Sequence, residues 1–284
     1  MKKAIYIIEY IAFIKLYFLL SLFPVQTSSK LGFKLMSFIG RKTKKNNRII
    51  SQLQKYLNLD KLNSKIYSKK IWGNLGRNIS ELLMIKTLIN QKHRFTYKNL
   101  QLSQKKGKVI ISAHFSNWEI AGLPFLFNNQ KTALIYRPFN NPFIEKFIKK
   151  KRSLIYAGGC FNKHTVTAQD LIRLINNGIN IMLRCDQRDF KGIKIDFLGH
   201  PSYTMTVPAI IALKTNSEII AVRVKRLKNV HYSYEFIDVN ITKGKNKEDS
   251  VLNIMKNINT IYNEWILSEP DEWLWTHKRW IQKK

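Results

Sequence analysis

From about Lys105 onward, short apolar runs alternate with segments whose apolar residues recur every three or four positions. The first pattern is that of strands buried on both faces, the second that of helices with one buried stripe. Strands are predicted at Lys108–Ser112, Thr132–Tyr136, Ile179–Cys185, Glu218–Val224 and Tyr232–Val239, the last with clear alternation. Helices are predicted at Trp118–Phe127 (kinked at Pro124), Pro142–Arg152, Ala168–Asn176, Pro208–Lys214 and about Asp249–Leu267. Gly178 stops the third of these helices, and Pro208 suits the first turn of the fourth. Strands interleaved with helices predict an α/β core, a sheet flanked by helices on both faces. No internal repeat and no Gly-, Ser- or Pro-rich linker breaks the chain.

Upstream the pattern is different. Residues 4–25 form an apolar stretch long enough, as a helix, to cross a hydrocarbon core of about 30 Å. Its thirteen Ile, Leu, Phe and Val residues contribute about −6 kcal/mol to insertion, Lys15 returns about +3 and Glu9 somewhat less, so insertion is marginally favourable. No small-residue cleavage site follows, which argues against a removed signal peptide. An interfacial helix lying in the headgroup plane is the other reading, and either one ties the chain to a membrane. Basic residues are denser after this segment than before it, which favours a body on the cytoplasmic side. Leu31–Asn90 then reads as helical and basic, with Trp72, Leu75, Ile79, Leu82 and Leu83 on one face. The expected division is an anchoring helix at 1–28, a basic helical region at 29–104 packed on the core, and an α/β core at 105–284.

Composition adds that the chain is globular, with 45% apolar residues and seven prolines among 284 residues. The net charge of +31 attracts polyanions such as nucleic acid, anionic lipid or an acidic carrier protein, although most of the lysines read as solvated surface. Two dense clusters, Arg41-Lys42 with Lys44-Lys45 and Lys149–Arg152, suggest anion-facing patches. No zinc spacing, RNA-binding aromatic block or helix-turn-helix signature accompanies the charge, and an apolar N-terminal span suits nucleic-acid binding poorly. Cys160 and Cys185 form no metal or redox spacing and read as small packed residues.

The candidate chemistry sits at the end of the first core strand, in Ser112-Ala-His-Phe-Ser-Asn-Trp-Glu-Ile-Ala-Gly122. His114 and Glu119 fall where a strand runs out into a turn, the place where α/β sheets expose reactive groups. A carboxylate beside an imidazole raises its basicity and holds one tautomer, so that it can take a proton from a hydroxyl.

His114-Phe-Ser-Asn-Trp-Glu119 resembles the His, four residues, acidic motif of the glycerolipid acyltransferase superfamily. Within it, the chain resembles the bacterial lipid A biosynthesis acyltransferases, the lauroyl/myristoyl group. Tyr136-Arg-Pro138 with Asn141-Pro142, Asp186-Gln187 with Phe197-Leu-Gly199, Thr206-Val-Pro208-Ala, and Trp273-Leu-Trp-Thr-His277-Lys-Arg-Trp280 resemble that group's later blocks, in the same order. Glu119, in place of the superfamily's commoner Asp, is what the lipid A branch shows. The resemblance implies an α/β fold with a mixed sheet core, glycerolipid acyltransferase-like, and an N-terminal membrane-anchoring helix. It implies transfer of a fatty acyl chain from an acyl carrier protein thioester to a hydroxyl of a lipid A precursor at the bacterial inner membrane. His114 is then the general base and Glu119 its paired carboxylate. No metal, cofactor, nucleic acid or acyl-enzyme is required, which leaves both cysteines dispensable. Arg137, on a turn before Pro138, is expected to meet a phosphate of the acceptor. Asp186, Gln187, Asn117, Phe197 and Gly199 complete the expected substrate-binding set. The terminal Trp and His cluster is not assigned to catalysis. A different glycolipid or a lysophospholipid acceptor would use the same dyad, and a basic nucleic-acid- or membrane-binding protein is the non-enzymatic alternative.

Overall fold

The computed structural model of the chain describes residues 2–98 and 107–280, so the expected boundary at 104/105 lies outside the described residues. Ten helices and nine strands are formed among the described residues. The chain begins with α1 (Lys2–Ser21), α2 (Val25–Ile39), α3 (Lys44–Leu57), α4 (Lys61–Leu83) and α5 (Ile85–Asn90). Then come β1 (Phe95–Lys98), β2 (Val109–Ser112), α6 (Leu123–Phe127), β3 (Thr132–Tyr136), α7 (Pro142–Arg152), β4 (Gly159–Asn162), α8 (Ala168–Asn176) and β5 (Asn180–Arg184). The hairpin β6 (Arg188–Phe197) and β7 (His200–Thr204) precedes α9 (Val207–Thr215), β8 (Ile219–Arg226), β9 (Tyr232–Asp238) and α10 (Lys247–Ser268).

Seven strands make one sheet in the order β1-β9-β8-β2-β5-β3-β4. Every neighbouring pair is parallel except β8 and β9, so the sheet is mixed. The strands β2 and β3 are buried along their whole length, which is why their sequences are continuous apolar runs. Alternate residues go to opposite layers. Val109, Ile111, Ala133, Ile135, Ile181 and Leu183 enter a core closed by α8, α9, α10, α3 and α4. Ile110, Leu134, Met182, Ile220 and Val222 enter the other, closed by α5 and α6. The expected two-faced α/β core is therefore present, with the strands expected at its centre.

Three features differ from the pattern-based expectation. The region expected to be helical also contributes the edge strand β1, and β4 and the β6–β7 hairpin are additional strands. These are short or half-exposed, so their hydrophobic signal is weak. Trp118–Phe127 is not one kinked helix: a 3₁₀ turn at Trp118–Ile120 is followed by α6, whose first turn holds Pro124. A proline there loses no hydrogen bond, because first-turn N–H groups have no partner within the helix.

The helix α1 is the one described element long and apolar enough to cross a membrane, and little of it is buried. One side is tied to α7. Phe13 and Tyr17 pack edge-on against Phe147, at 5.5 and 5.1 Å between ring centroids. Asn141 donates to Glu9 Oε2 at 2.9 Å, which satisfies one of the two charges interrupting the apolar stretch. Behind it, α2 crosses α4 at near backbone contact: a Cβ on Gly32 would lie 2.5 Å from the Gly76 carbonyl oxygen. Only glycine permits that approach.

Candidate active site

His114 and Asp186 reach one another because β2 and β5 are adjacent and parallel, with Ser112 in register with Arg184. Each residue lies two positions beyond its strand, at the carboxyl edge of the sheet. His114 Nδ1 is 2.9 Å from Asp186 Oδ1, and the His114 backbone N–H donates to Asp186 Oδ2 at 3.1 Å. Trp273 Nε1 donates to that same oxygen at 2.8 Å. The Asp186 side chain is 1% exposed while that of His114 is 17% exposed, so the carboxylate is sealed and the imidazole is reachable. Burial opposes the Asp186 charge, but His114 and the Trp273 and backbone donors outweigh it and hold the carboxyl well below the ordinary range. An acceptor-only carboxylate on Nδ1 fixes the proton there and leaves the Nε2 lone pair as the basic position.

Three further side chains surround the imidazole. Trp118 meets it edge-on at 5.3 Å between centroids. The Gln187 amide nitrogen lies 3.1 Å from His114 Nε2 and 2.6 Å from His277 Nε2. Because an amide nitrogen only donates, His277 accepts and is neutral. Burial, reinforced by the nearby His114, pushes His277 down to about 4, which agrees with that assignment.

The loop carrying His114 is clamped by the C-terminal segment. Ser116 N–H donates to the Glu272 carbonyl at 2.8 Å, and Leu274 N–H donates to the His114 carbonyl at 2.9 Å. Ser116 takes a left-handed conformation (φ 50°), unusual for a residue with a side chain. On its other flank Asn78 donates to the Ser116 carbonyl, and Arg226 donates to Asn78 Oδ1 at 2.6 Å.

Glu119 is not the carboxylate on His114. It is turned away into a bidentate pair with Arg152, at 2.9 Å from Nε to Oε2 and 2.6 Å from Nη2 to Oε1, with Arg184 3.5 Å from Oε2. Burial pushes Glu119 up, but the two guanidiniums prevail and hold it at about 2. The pairing expected from five-residue spacing thus gives way to one across the sheet. The 3₁₀ turn at Trp118 rotates Glu119 inward, where two buried cations need an anion. Arg152 belongs to the Lys149–Arg152 cluster expected to face anions; it is buried, beneath its exposed neighbours Lys149 and Lys150.

The remaining expected residues divide. Gln187 lies in the site. Asn117 is fully buried and donates to Glu81 Oε2 at 2.6 Å, away from His114. Phe197 is fully buried between Trp273 and Trp280, with the Arg279 guanidinium 4.3 Å from its ring centroid. Gly199 occupies the β6–β7 turn with φ 72°, beside Leu198 at 50°, a turn in which both central residues need the left-handed region. Arg137 is exposed immediately after β3, at the same edge of the sheet as His114, and forms no ion pair among the described residues. Trp273 and His277 were not assigned to the site from sequence; their signal was the density of Trp and His near residue 275. No group of His, Cys, Asp and Glu able to hold a metal ion occurs among the described residues.

The profile of the family described as "Bacterial lipid A biosynthesis acyltransferase" matches residues 1–282. A search among curated proteins finds no matching relative.

Proposed function

The chain belongs to the bacterial lipid A biosynthesis acyltransferase family, and from that premise we propose that His114 is the general base of an acyl transfer from an acyl carrier protein thioester to a hydroxyl of a lipid A precursor. The observation that carries this reading is the His114–Asp186 contact at the carboxyl edge of the sheet, with a sealed carboxylate and a reachable imidazole. His114 Nε2 takes the proton of the acceptor hydroxyl as its oxygen bonds to the thioester carbonyl carbon. Collapse of the tetrahedral adduct breaks the carbon–sulfur bond, and the departing thiolate receives the proton from the imidazolium. Asp186 stabilises that imidazolium and keeps the reactive nitrogen outward, an arrangement worth roughly 10²–10⁴ in rate. No acyl-enzyme is needed, since the thioester is already activated.

Glu119 is a positioning residue in this scheme: it anchors Arg152 and Arg184 under the His114 loop. Gln187 and neutral His277 orient the imidazole from the other side. Arg137, without an ion pair among the described residues and on a turn at the same edge, is assigned to a phosphate of the acceptor. The basic surface suits an acidic carrier protein. The helix α1 anchors the enzyme to the inner membrane with the site on the cytoplasmic side, as the excess of basic residues after it supports.

Membranes containing the protein, supplied with labelled acyl carrier protein thioesters of varied length, test the reading. A Kdo-bearing lipid A precursor and a lysophospholipid are offered together as acceptors. Acylation of the lipid A precursor, lost in His114→Ala, is expected. Acylation of the lysophospholipid alone would overturn the acceptor.

A further inference from the structure

A cleft of about 640 Å³ opens between α2, α4 and the turn joining β8 to β9, with Asp271 and Glu272 also lining it. Five cations line it and only these two acids. Lys70 is offset by Asp271 at 3.6 Å, and Arg226 by Glu81. Lys30, Arg77 and Lys228 form no ion pair among the described residues. Arg77 is half-buried, with its guanidinium 4.7 Å from the Phe33 ring centroid; burial and then the charge of Arg226 push its pKa down, against the opposing charges of Glu81 and Glu272. A partly desolvated guanidinium with no ion pair of its own among the described residues, in one cleft with two exposed lysines, is a place for an anion. The turn is strained as well: Asn229 and Val230 both take left-handed φ, at 56 and 60°. For a β-branched residue that is costly, and such strain persists where the surroundings hold a backbone in a required shape.

The position of the cleft indicates the source of the anion. The apolar helix α1 ends at Ser21 and α2 begins at Val25. Lys30 therefore lies about 8 Å along α2 from its start, close in sequence to the one described helix long and apolar enough to cross a membrane. Leu31, Leu35 and Phe38 are exposed on α2, beside Lys30 and Lys34. Apolar residues flanked by lysines on one helix are the pattern of an interfacial helix.

We propose that this cleft binds the phosphate group of an anionic membrane lipid, with Lys30, Arg77 and Lys228 as its cationic contacts. The site is separate from His114, and the proposal does not depend on the acyl-transfer reading. It is joined to the catalytic loop all the same, since Arg226 reaches the Ser116 carbonyl through Asn78, and the Glu272 carbonyl accepts from Ser116 N–H.

The full chain in neutral detergent micelles is titrated with phosphatidic acid, phosphatidylcholine of the same chains and inorganic phosphate, and binding is followed by native mass spectrometry and ³¹P NMR. Phosphatidic acid is expected to be retained, with phosphatidylcholine and inorganic phosphate far weaker. The Lys30→Ala/Lys228→Ala double variant, whose side chains are exposed, is expected to lose roughly tenfold or more in affinity. Arg77→Gln should weaken binding too, and Lys256→Ala on α10 should leave it unchanged. Equal retention by wild type and the double variant, or an equal loss in Lys256→Ala, overturns the site. Inorganic phosphate binding as tightly as phosphatidic acid overturns the lipid as its source.

Discussion

His114 and Asp186 lie 72 residues apart in sequence and 2.9 Å apart in space, from Nδ1 to Oδ1. The nearer carboxylate in sequence, Glu119, neutralises Arg152 and Arg184 instead. A family motif that reads as one pair is thus divided between two neighbourhoods: its histidine faces Asp186 and its carboxylate faces two arginines.

Asp186→Asn separates the two carboxylates by role. The amide can no longer stabilise the imidazolium, and its NH₂ group can turn towards Nδ1 and reverse the tautomer. Turnover with a labelled acyl thioester is expected to fall on the order of 10²–10⁴-fold, with the circular dichroism spectrum unchanged. Near-normal turnover in folded Asp186→Asn would remove Asp186 from the mechanism.

Glu119→Gln is expected to act mainly on stability. It leaves Arg152 and Arg184 buried with no anion, a loss of about 3–5 kcal/mol, which lowers Tm on the order of 10 °C in a chain of this size. The pH–rate profile of the remaining activity should keep its shape, because His114 keeps its own carboxylate. A changed profile with an unchanged Tm would return Glu119 to the reacting centre.

Glu272 makes stability depend on pH. Burial, reinforced by Asp271 and Glu269 and opposed by Arg226, raises its pKa to about 7, and Oε2 has no hydrogen-bond partner. Between its unfolded value of about 4.5 and about 7, the folded state binds more of this proton than the unfolded state. Its contribution is therefore full below pH 4.5 and is lost as pH rises through 7. Glu272→Gln should be more stable than wild type at pH 8 and should flatten that part of the Tm–pH curve. A parallel curve for the variant would refute the assignment.

The cysteines should be silent. Burial pushes the Cys160 thiol up to about 11, and Cys185 is raised further by burial beside Asp186, so neither supplies a thiolate at neutral pH. Turnover of Cys160→Ser and of Cys185→Ala is expected within about twofold of wild type. Loss of activity in either, with the fold intact, would point to a covalent intermediate.

The linear pattern placed β2, β3, β5, β8 and β9 within a residue or two, because strands buried on both faces must be written as apolar runs and a half-buried one such as β9 as an alternation. It placed α7 and α8 as well, where Asn141 and Thr167 cap the first turns with their side chains. It also placed His114 at a strand end, and Asp186 on the same edge provided the two strands were parallel. The order of strands, and hence the adjacency of β2 and β5, required the folded sheet. So did the inward turn of Glu119, the burial of Arg152 and the closure of the site by Trp273 and His277. Periodicity records which side of an element is dry, a local property of the chain. Which carboxylate meets which cation depends on distances between segments far apart in sequence, and those exist only once the layers have packed.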